Sequence, residues 1–293
     1  MSFMKSLFAV CNNLKAINER SQNNPEERRK KMCGIFGFVL KNPVHTSLIF
    51  RVLQKLEVSQ YPGEKKPVGG YGAGVAVLLP DGDVYSEKVG RVDGSPAAQL
   101  AKIVEPQLSN VQVLIGHVRY PNPEFMEAAK FKETAQPYVG QFESELTIVS
   151  AHNGKVENYK ELKERMKEHA FESEKVGFVD SEIIPHYFSE LINETESGDE
   201  ALYRLFCTLK GSNAVSILHL DAENAFLHLI HRGKTRGLTV WTNEKNEVLF
   251  SSRPEPVMEE FGSLLKEDKF KEKISIKWQE DVGIKLSFPI TFE

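Results

Sequence analysis

Four residues that can do chemistry stand at the ends of apolar runs in this sequence: Cys33, Arg119, Asn153 and Asp180. A thiol is a nucleophile once it loses its proton, and a guanidinium can clamp a carboxylate with paired hydrogen bonds. An amide can donate to an oxyanion, and an aspartate can hold a positive charge. A cysteine that takes part in chemistry here would act as a thiol.

Two of these residues have plain structural interpretations when they are taken alone. Cys33 fits a small buried hydrophobe at the start of a strand, and Arg119 fits a surface arginine. Met32 immediately before the cysteine changes the first interpretation, because removal of that methionine would make Cys33 the N-terminal residue. Arg119 follows an apolar strand and precedes Pro121, which ends that strand. The side chain of Arg119 is therefore expected at the end of the strand.

The other two residues also have structural alternatives. Asn153 and Gly154 form the strongest short hairpin signal, and Asp180 is a good helix N-cap. However, the segment after Gly154 has helical spacing, with Leu162 and Met166 on one face. A strand, an Asn-Gly pair and a helix allow an amide side chain and a backbone N–H to point at one spot.

Composition excludes several classes of protein. The 293 residues are 41% hydrophobic and 27% charged, which indicates an ordinary globular protein. No apolar run approaches the roughly 18 residues of a membrane span, so no membrane association is expected. The net charge of −4 argues against nucleic acid as a partner. Three scattered cysteines predict neither a disulfide framework nor a metal site, and they indicate a reducing, cytoplasmic location.

Charge divides the chain at Met32. Residues 1–32 contain seven Lys or Arg and three Glu, a net of +4, so residues 33–293 carry −8. We therefore predict a basic N-terminal extension over 1–32 and one domain over 33–293. The extension is open to three interpretations: a propeptide, a targeting segment, or a consequence of translation starting at Met32.

Strand-like runs outnumber helical ones. The predicted strands are 33–40, 72–79, 111–117, 146–152, 213–220, 225–231, 247–252, 274–278 and 283–288, and the predicted helices are 48–58, 156–169, 180–192 and 200–209. Several strands are joined by tight turns, as at Asp221 to Asn224, which favours antiparallel pairing. The fold class predicted from this pattern is layered α+β.

Five motifs in order resemble class II glutamine amidotransferases, the N-terminal-nucleophile glutaminase domains of glutamate synthase, amidophosphoribosyltransferase and hexosamine-phosphate synthase. They are Met32-Cys-Gly-Ile-Phe-Gly37, Gly116-His-Val-Arg-Tyr120, Ala135-Gln-Pro137, His152-Asn-Gly154 with Glu157-Asn-Tyr159, and Asp180-Ser-Glu182. In these motifs the sequence resembles the glutamate synthase and amidophosphoribosyltransferase branches more than the hexosamine-phosphate synthase branch. The resemblance implies a four-layer αββα sandwich of antiparallel sheets.

The resemblance also implies roles for individual residues. Cys33 would be the nucleophile, with its own free α-amine as general base, and Asn153 with Gly154 would form the oxyanion hole. Arg119 would hold the α-carboxylate of free L-glutamine and Asp180 its α-ammonium. Tyr120, Asn122 and His152 would be further substrate contacts. No cofactor or metal is implied for this chain.

With residues 1–32 attached, the nitrogen of Cys33 is an amide and cannot accept a proton, so the mature protein is expected to begin at Cys33. A domain of this size leaves no room for a synthase, so a partner subunit is expected to take the ammonia. If the kinship with glutamate synthase holds, that partner would carry flavin and iron–sulfur chemistry. The alternatives are another N-terminal-nucleophile amide hydrolase, and a non-catalytic glutamine-sensing or scaffold subunit.

Overall fold

The computed structural model describes residues 33–61, 67–142 and 145–291, so the predicted extension over 1–32 lies outside the described residues. The strands are β1 (Gly34–His45), β2 (Ala73–Leu78), β3 (Val84–Val89), β4 (Asn110–Val118), β5 (Tyr138–Gln141), β6 (Thr147–Gly154), β7 (Asn213–Leu220), β8 (Ala225–Arg232), β9 (Leu238–Thr242), β10 (Val248–Ser251), β11 (Lys271–Ile276) and β12 (Ile284–Pro289). The α-helices are α1 (Thr46–Val58), α2 (Pro96–Val104), α3 (Tyr159–Arg165), α4 (Ile183–Glu194), α5 (Gly198–Thr208) and α6 (Pro254–Glu267).

The strands form two sheets. The seven-stranded sheet has the order β11-β9-β10-β1-β4-β2-β3, and the five-stranded sheet has the order β12-β8-β7-β6-β5. Pairing is antiparallel throughout both sheets. β1 lies between β10 and β4, so the strand that begins beside Cys33 is hydrogen-bonded on both sides.

Alternation along β1 shows how the layers form. Phe36 and Phe38 pack with the apolar faces of α1, α2 and α6 on one side of the seven-stranded sheet. Ile35 and Val39 point the other way, into a core shared with the five-stranded sheet. Successive strand side chains face opposite sides, so one strand contributes to two cores. A third core joins the outer face of the five-stranded sheet to α3, α4 and α5.

The layers therefore run helices, sheet, sheet, helices. This confirms the predicted α+β class and the αββα sandwich. No helix among the described residues has the length and hydropathy of a candidate membrane span.

The helix predicted over 156–169 is much shorter in the structure, where α3 covers only Tyr159–Arg165. The amide of Val156 donates to Asp180 Oδ2 (2.7 Å), and the amide of Glu157 donates to the carbonyl of Lys210 (3.1 Å). The first N–H groups of a helix have no partner within the helix. Here residues distant in the sequence accept the N–H groups of Val156 and Glu157 instead.

Candidate functional site

Cys33 lies at the open end of the strand β1, half-buried, just before the first paired residue. Its Sγ atom is 3.4 Å from both the backbone oxygen and the backbone nitrogen of Tyr120, which follows the neighbouring strand β4. Next to it, Gly34 lets the start of β1 pack closely on α1, because a Cβ there would lie 2.7 Å from Leu56 Cγ. The thiol is thus held at a fixed place between two strand ends.

Arg119 follows β4 and is only 3% exposed, so the surface-arginine interpretation is wrong. Its Nη1 donates to the hydroxyl of Thr134, which in turn donates to the carbonyl of Ala128 (2.7 Å). Burial lowers the pKa of the guanidinium, whereas Tyr138, Cys33 and other nearby groups raise it. Arg119 forms no ion pair with another described residue, and a buried charge without a counter-ion is costly.

Asp180 opens the short 3-10 turn Asp180–Glu182 in front of α4 and is 2% exposed. Its side chain does not cap that turn but accepts the Val156 amide, so the N-cap interpretation is wrong. Burial raises the pKa of Asp180 to about 7, although the hydrogen bond from the Val156 amide and the charges of Lys155 and Arg119 oppose that rise. This carboxyl is therefore poised between its neutral and charged forms near neutral pH.

Asn153 and Gly154 end β6, paired with Ala214 and Asn213 of β7, so they do not form the tip of a hairpin. The Asn153 side chain is fully buried, and neither its Oδ1 nor its Nδ2 has a hydrogen-bond partner among the described residues. Gly154 has φ +140°, and a Cβ there would lie 2.1 Å from the carbonyl oxygen of Ser212. The strand end thus presents an unused amide donor beside a position that only glycine can occupy.

The role of His152 as a substrate contact stays a prediction, and the structure shows what its ring contacts within the chain. Its Nδ1 is 2.9 Å from the Ser181 hydroxyl and its Nε2 is 2.8 Å from Asn213 Oδ1, so both ring nitrogens are already engaged. Burial lowers the pKa of His152 to about 4, which keeps the ring neutral. Gln136 Oε1 accepts the His152 amide (2.7 Å), and Gln136 precedes a cis peptide bond to Pro137. His152 therefore positions the end of β6.

Tyr120 and Asn122 are placed in the segment after Arg119. Tyr120 is buried, and its ring lies 4.7 Å from that of Tyr71, while its backbone contacts the thiol. Asn122 is half-buried before the 3-10 turn Pro123–Phe125, and its side chain makes no capping hydrogen bond. The structure brings the backbone of Tyr120 to the Cys33 thiol. The substrate contacts predicted for Tyr120 and Asn122 stay predictions.

One residue that sequence reasoning missed is Arg236, in the connection from β8 to β9, which is only 3% exposed. Burial raises the pKa of Cys33, and the positive charges of Arg236 and then Arg119 oppose that rise. His231 Nε2 lies 2.7 Å from the carbonyl of Arg236, and the Thr235 hydroxyl donates to the carbonyl of Asn153 (3.4 Å). Only the fold brings this loop to the thiol, so no local sequence signal marked it.

Within the described ranges, no group of three or more His, Cys, Asp or Glu side chains is arranged to hold a metal ion. The site therefore consists of a thiol, two buried arginines, a buried carboxyl and an unpaired amide. Cys33 lies within electrostatic range of Arg119, Asp180 and Arg236. Such a set can bind a zwitterion and stabilise an oxyanion.

Comparison with known proteins agrees with this arrangement. A family model described as a glutamine amidotransferase domain matches residues 126–259. Glutamine–fructose-6-phosphate aminotransferase from Geobacillus kaustophilus is 31% identical over 195 residues, covering 66% of this chain. The enzyme of the same name from Chlamydia trachomatis is 31% identical over 203 residues, covering 68%.

The chain belongs to the class II glutamine amidotransferases. Two solved structures share the fold: the allosteric regulatory enzyme of purine biosynthesis (TM-score 0.61, 16% identity) and glutamine phosphoribosylpyrophosphate amidotransferase from B. subtilis complexed with ADP and GMP (TM-score 0.60, 17% identity). Each alignment covers 89% of this chain. The solved structures thus agree with the sequence relatives on the fold of the domain.

The chain spans less than a third of the curated relatives, 28% and 29% of their lengths, and half of each structural neighbour. These sequence relatives are named for fructose 6-phosphate and one structural neighbour for phosphoribosylpyrophosphate. The predicted placement nearer the glutamate synthase and phosphoribosyl branches therefore stays a prediction.

Proposed function

We propose that this chain hydrolyses free L-glutamine to glutamate and ammonia through a thioester on Cys33. The observation that carries the proposal is the pair of opposite, buried charges beside the thiol. Arg119 and Asp180 influence each other's pKa, and neither forms an ion pair with another described residue. A free amino acid supplies a carboxylate for the first and an ammonium for the second, whereas a glutaminyl residue within a peptide supplies neither.

The chemical step begins with removal of the thiol proton. A free α-amine on Cys33, with a reference pKa of roughly 7.7–8.0, can take that proton near neutral pH. The sulfur then attacks the carbon of the glutamine side-chain amide, and the negative charge moves to the carbonyl oxygen. The Nδ2 group of Asn153 and the backbone N–H of Gly154 would hold that oxygen.

Breakdown of this intermediate completes the reaction. The carbon–nitrogen bond breaks, the amine returns its proton to the leaving nitrogen, and ammonia departs. Water then attacks the thioester, and the products are glutamate and the restored thiol. The net change is glutamine plus water to glutamate plus ammonia.

The mechanism requires the α-nitrogen of Cys33 to be a free amine, so we propose that the active species begins at Cys33. The domain organisation follows: 1–32 as an extension that is removed, and 33–293 as the amidotransferase domain. We further propose that a separate synthase subunit receives the ammonia, and that the protein works in the reducing cytoplasm. Co-purification from the native host tests the partner, and a species that is always monomeric would contradict it.

The decisive experiment compares protein that begins at Cys33 with the full chain in a coupled assay for glutamate. The shortened protein should hydrolyse glutamine, the full chain should not, and a Cys33→Ala variant of the shortened protein should be inactive. Asparagine is the matched substrate control, since one methylene fewer moves its amide away from the thiol. Full activity of the intact chain would overturn the proposal, and glutamine binding without turnover would indicate a sensing subunit.

A further inference from the structure

A second cavity, of about 470 Å³, opens where β9, β10 and β11 meet the start of α6. Its walls include side chains from the loop after α1, the β10–α6 junction and the end of β11: Tyr61, Ser252, Arg253, Glu255, Lys277 and Trp278. This volume lies within the roughly 300–1,000 Å³ that is usual for small-molecule sites. The glutamine site described above does not explain this cavity.

The cavity is a neighbour of the glutamine site and not a part of it. Cys33, Arg119 and Asp180 are absent from its described walls. The connection runs through Ser252, whose amide donates to the carbonyl of Ile35 (2.9 Å), two residues after the nucleophile. The Ser252 hydroxyl accepts the Ile35 amide (3.1 Å), so one strand pairing separates the two sites.

The walls of the cavity combine aromatic surface with positive charge. The rings of Tyr61 and Trp278 lie 5.5 Å apart, and the guanidinium carbon of Arg253 lies 4.8 Å from the Tyr61 ring. Arg253 Nε pairs with Glu255 (3.0 Å), and its Nη1 donates to the carbonyl of Gln60. The remaining Nη2 group has no hydrogen-bond partner among the described residues.

A second cation stands at the same cavity without a counter-ion. Lys277 is exposed, and its ammonium forms no ion pair within the described part of the chain. Nε1 of Trp278 is buried and has no acceptor among the described residues. Two cations against one carboxylate leave a net positive cavity, and unused N–H groups call for an acceptor.

We propose that this cavity binds a small molecule with one carboxylate or phosphate group on an apolar or aromatic body. Arg253 Nη2 and Lys277 hold the anionic group, and the rings of Tyr61 and Trp278 pack against the body. A neutral molecule would leave the excess positive charge of the cavity uncompensated, and a cation would be repelled by it. The proposal does not rest on glutamine hydrolysis, because no residue of that mechanism lines the cavity.

Fluorine NMR on the full chain tests this binding with three probes of one shape. They are para-fluorobenzoate, para-fluorophenyl phosphate and the neutral para-fluorobenzyl alcohol. At least one anionic probe should bind saturably with one site per chain, about tenfold or more tighter than the alcohol. The comparison of the two anions identifies the head group, carboxylate or phosphate.

Two lysine variants separate the cavity from general surface charge. Lys277→Gln should lower, by about threefold or more, the affinity for the anionic probe that binds, since it removes one partly solvated charge. Lys271→Gln is the matched control, because this exposed lysine begins β11 and does not line the cavity. A combined Arg253→Gln and Lys277→Gln variant should abolish saturable binding while circular dichroism stays native.

Three results would overturn the proposal. One is the absence of saturable binding by both anions. Another is equal weakening in the Lys271→Gln control and the Lys277→Gln variant. The third is displacement of the probe by glutamine, which would make the cavity part of the glutamine site. Loss of glutamine hydrolysis with probe binding intact would count against the proposed function alone.

Discussion

The guanidinium of Arg119 donates through Nη1 to the hydroxyl of Thr134, a neutral acceptor, although the arginine is only 3% exposed to solvent. Thr134 is itself fixed by donating to the carbonyl of Ala128 (2.7 Å). The arginine is therefore oriented by its neighbours without being neutralised by them. That arrangement leaves its charge available for an incoming carboxylate.

Arg119→Ala should raise KM for glutamine about 10²-fold or more, because hydrogen bonds to a charged group contribute about 1.5–3 kcal/mol each. The value of kcat should change much less. Steady-state kinetics on protein beginning at Cys33 measures both constants. Thr134→Val is the companion variant, and its KM should rise less because the guanidinium charge remains. A KM unchanged by Arg119→Ala would remove the arginine from the binding of substrate.

Asn153→Ala should separate activity from stability. Loss of one oxyanion-hole donor should lower kcat by about 10²–10³-fold. Because the buried amide of Asn153 has no partner among the described residues, its removal should leave the thermal midpoint unchanged or raise it. Calorimetry and single-turnover kinetics check the two halves. A large loss of stability would show that the amide has a structural partner.

The pKa of Asp180, raised by burial to about 7, sets an expected pH dependence. Only the charged carboxylate attracts the substrate ammonium, so kcat/KM should fall as the pH drops below about 7. Asp180→Asn should raise KM and make the acid limb less steep, leaving only the titration of the free α-amine of Cys33. An unchanged acid limb in that variant would assign the titration to another group.

The raised pKa of Asp180 also predicts how the free energy of unfolding changes with pH. The folded-state pKa lies above the ordinary value of 3.8, so the folded protein binds this proton more tightly than the unfolded chain. Asp180 therefore opposes folding increasingly as the pH rises from about 4 to about 7. Asp180→Asn should be more stable than the parent above that window and should lose the advantage below it. Chemical denaturation across pH measures this difference.

Arg236→Met should raise the pKa of the Cys33 thiol. Of the positive charges that lower this pKa, the charge of Arg236 has the largest effect. The rate of alkylation by iodoacetamide against pH gives that pKa directly, without glutamine turnover. Arg236→Lys should restore most of the shift, and Lys234→Gln, an exposed lysine of the same loop, should have no effect. Identical alkylation profiles for the Arg236→Met variant and the parent protein would exclude an electrostatic role.

Sequence patterns predicted the elements whose apolar residues repeat strongly. The predicted bounds of the fully buried strand β7 are the observed ones, Asn213–Leu220. The helix α6 was missed because Pro254 and Pro256 resemble a loop, yet first-turn N–H groups need no helical partner, so prolines fit there. The strand β11 begins earlier than predicted: it covers Lys271–Ile276, whereas 274–278 was predicted.

Four of the shorter elements were not predicted. β3, β5 and β9 have between four and six residues, and α2 has nine. In the site, the residues at strand ends were predicted because a polar group directly after an apolar run stands out. Arg236 and Thr134 were not, since they reach the thiol and Arg119 only through tertiary packing. His152 was predicted as a substrate contact, which stays a prediction; in the structure its ring contacts Ser181 and Asn213.

The reacting groups are divided between the two sheets. Cys33 directly precedes β1 and Arg119 directly follows β4, both in the seven-stranded sheet, whereas Asn153 lies at the end of β6 in the five-stranded one. A bound glutamine would bridge them, so the distance from sulfur to amide depends on how the sheets are seated on each other. Ile35 and Val149 lie in the core between the two sheets. Their size would therefore influence the rate of glutamine hydrolysis without any contact with the substrate. Trimming either one should slow chemistry more than it weakens capture of the substrate.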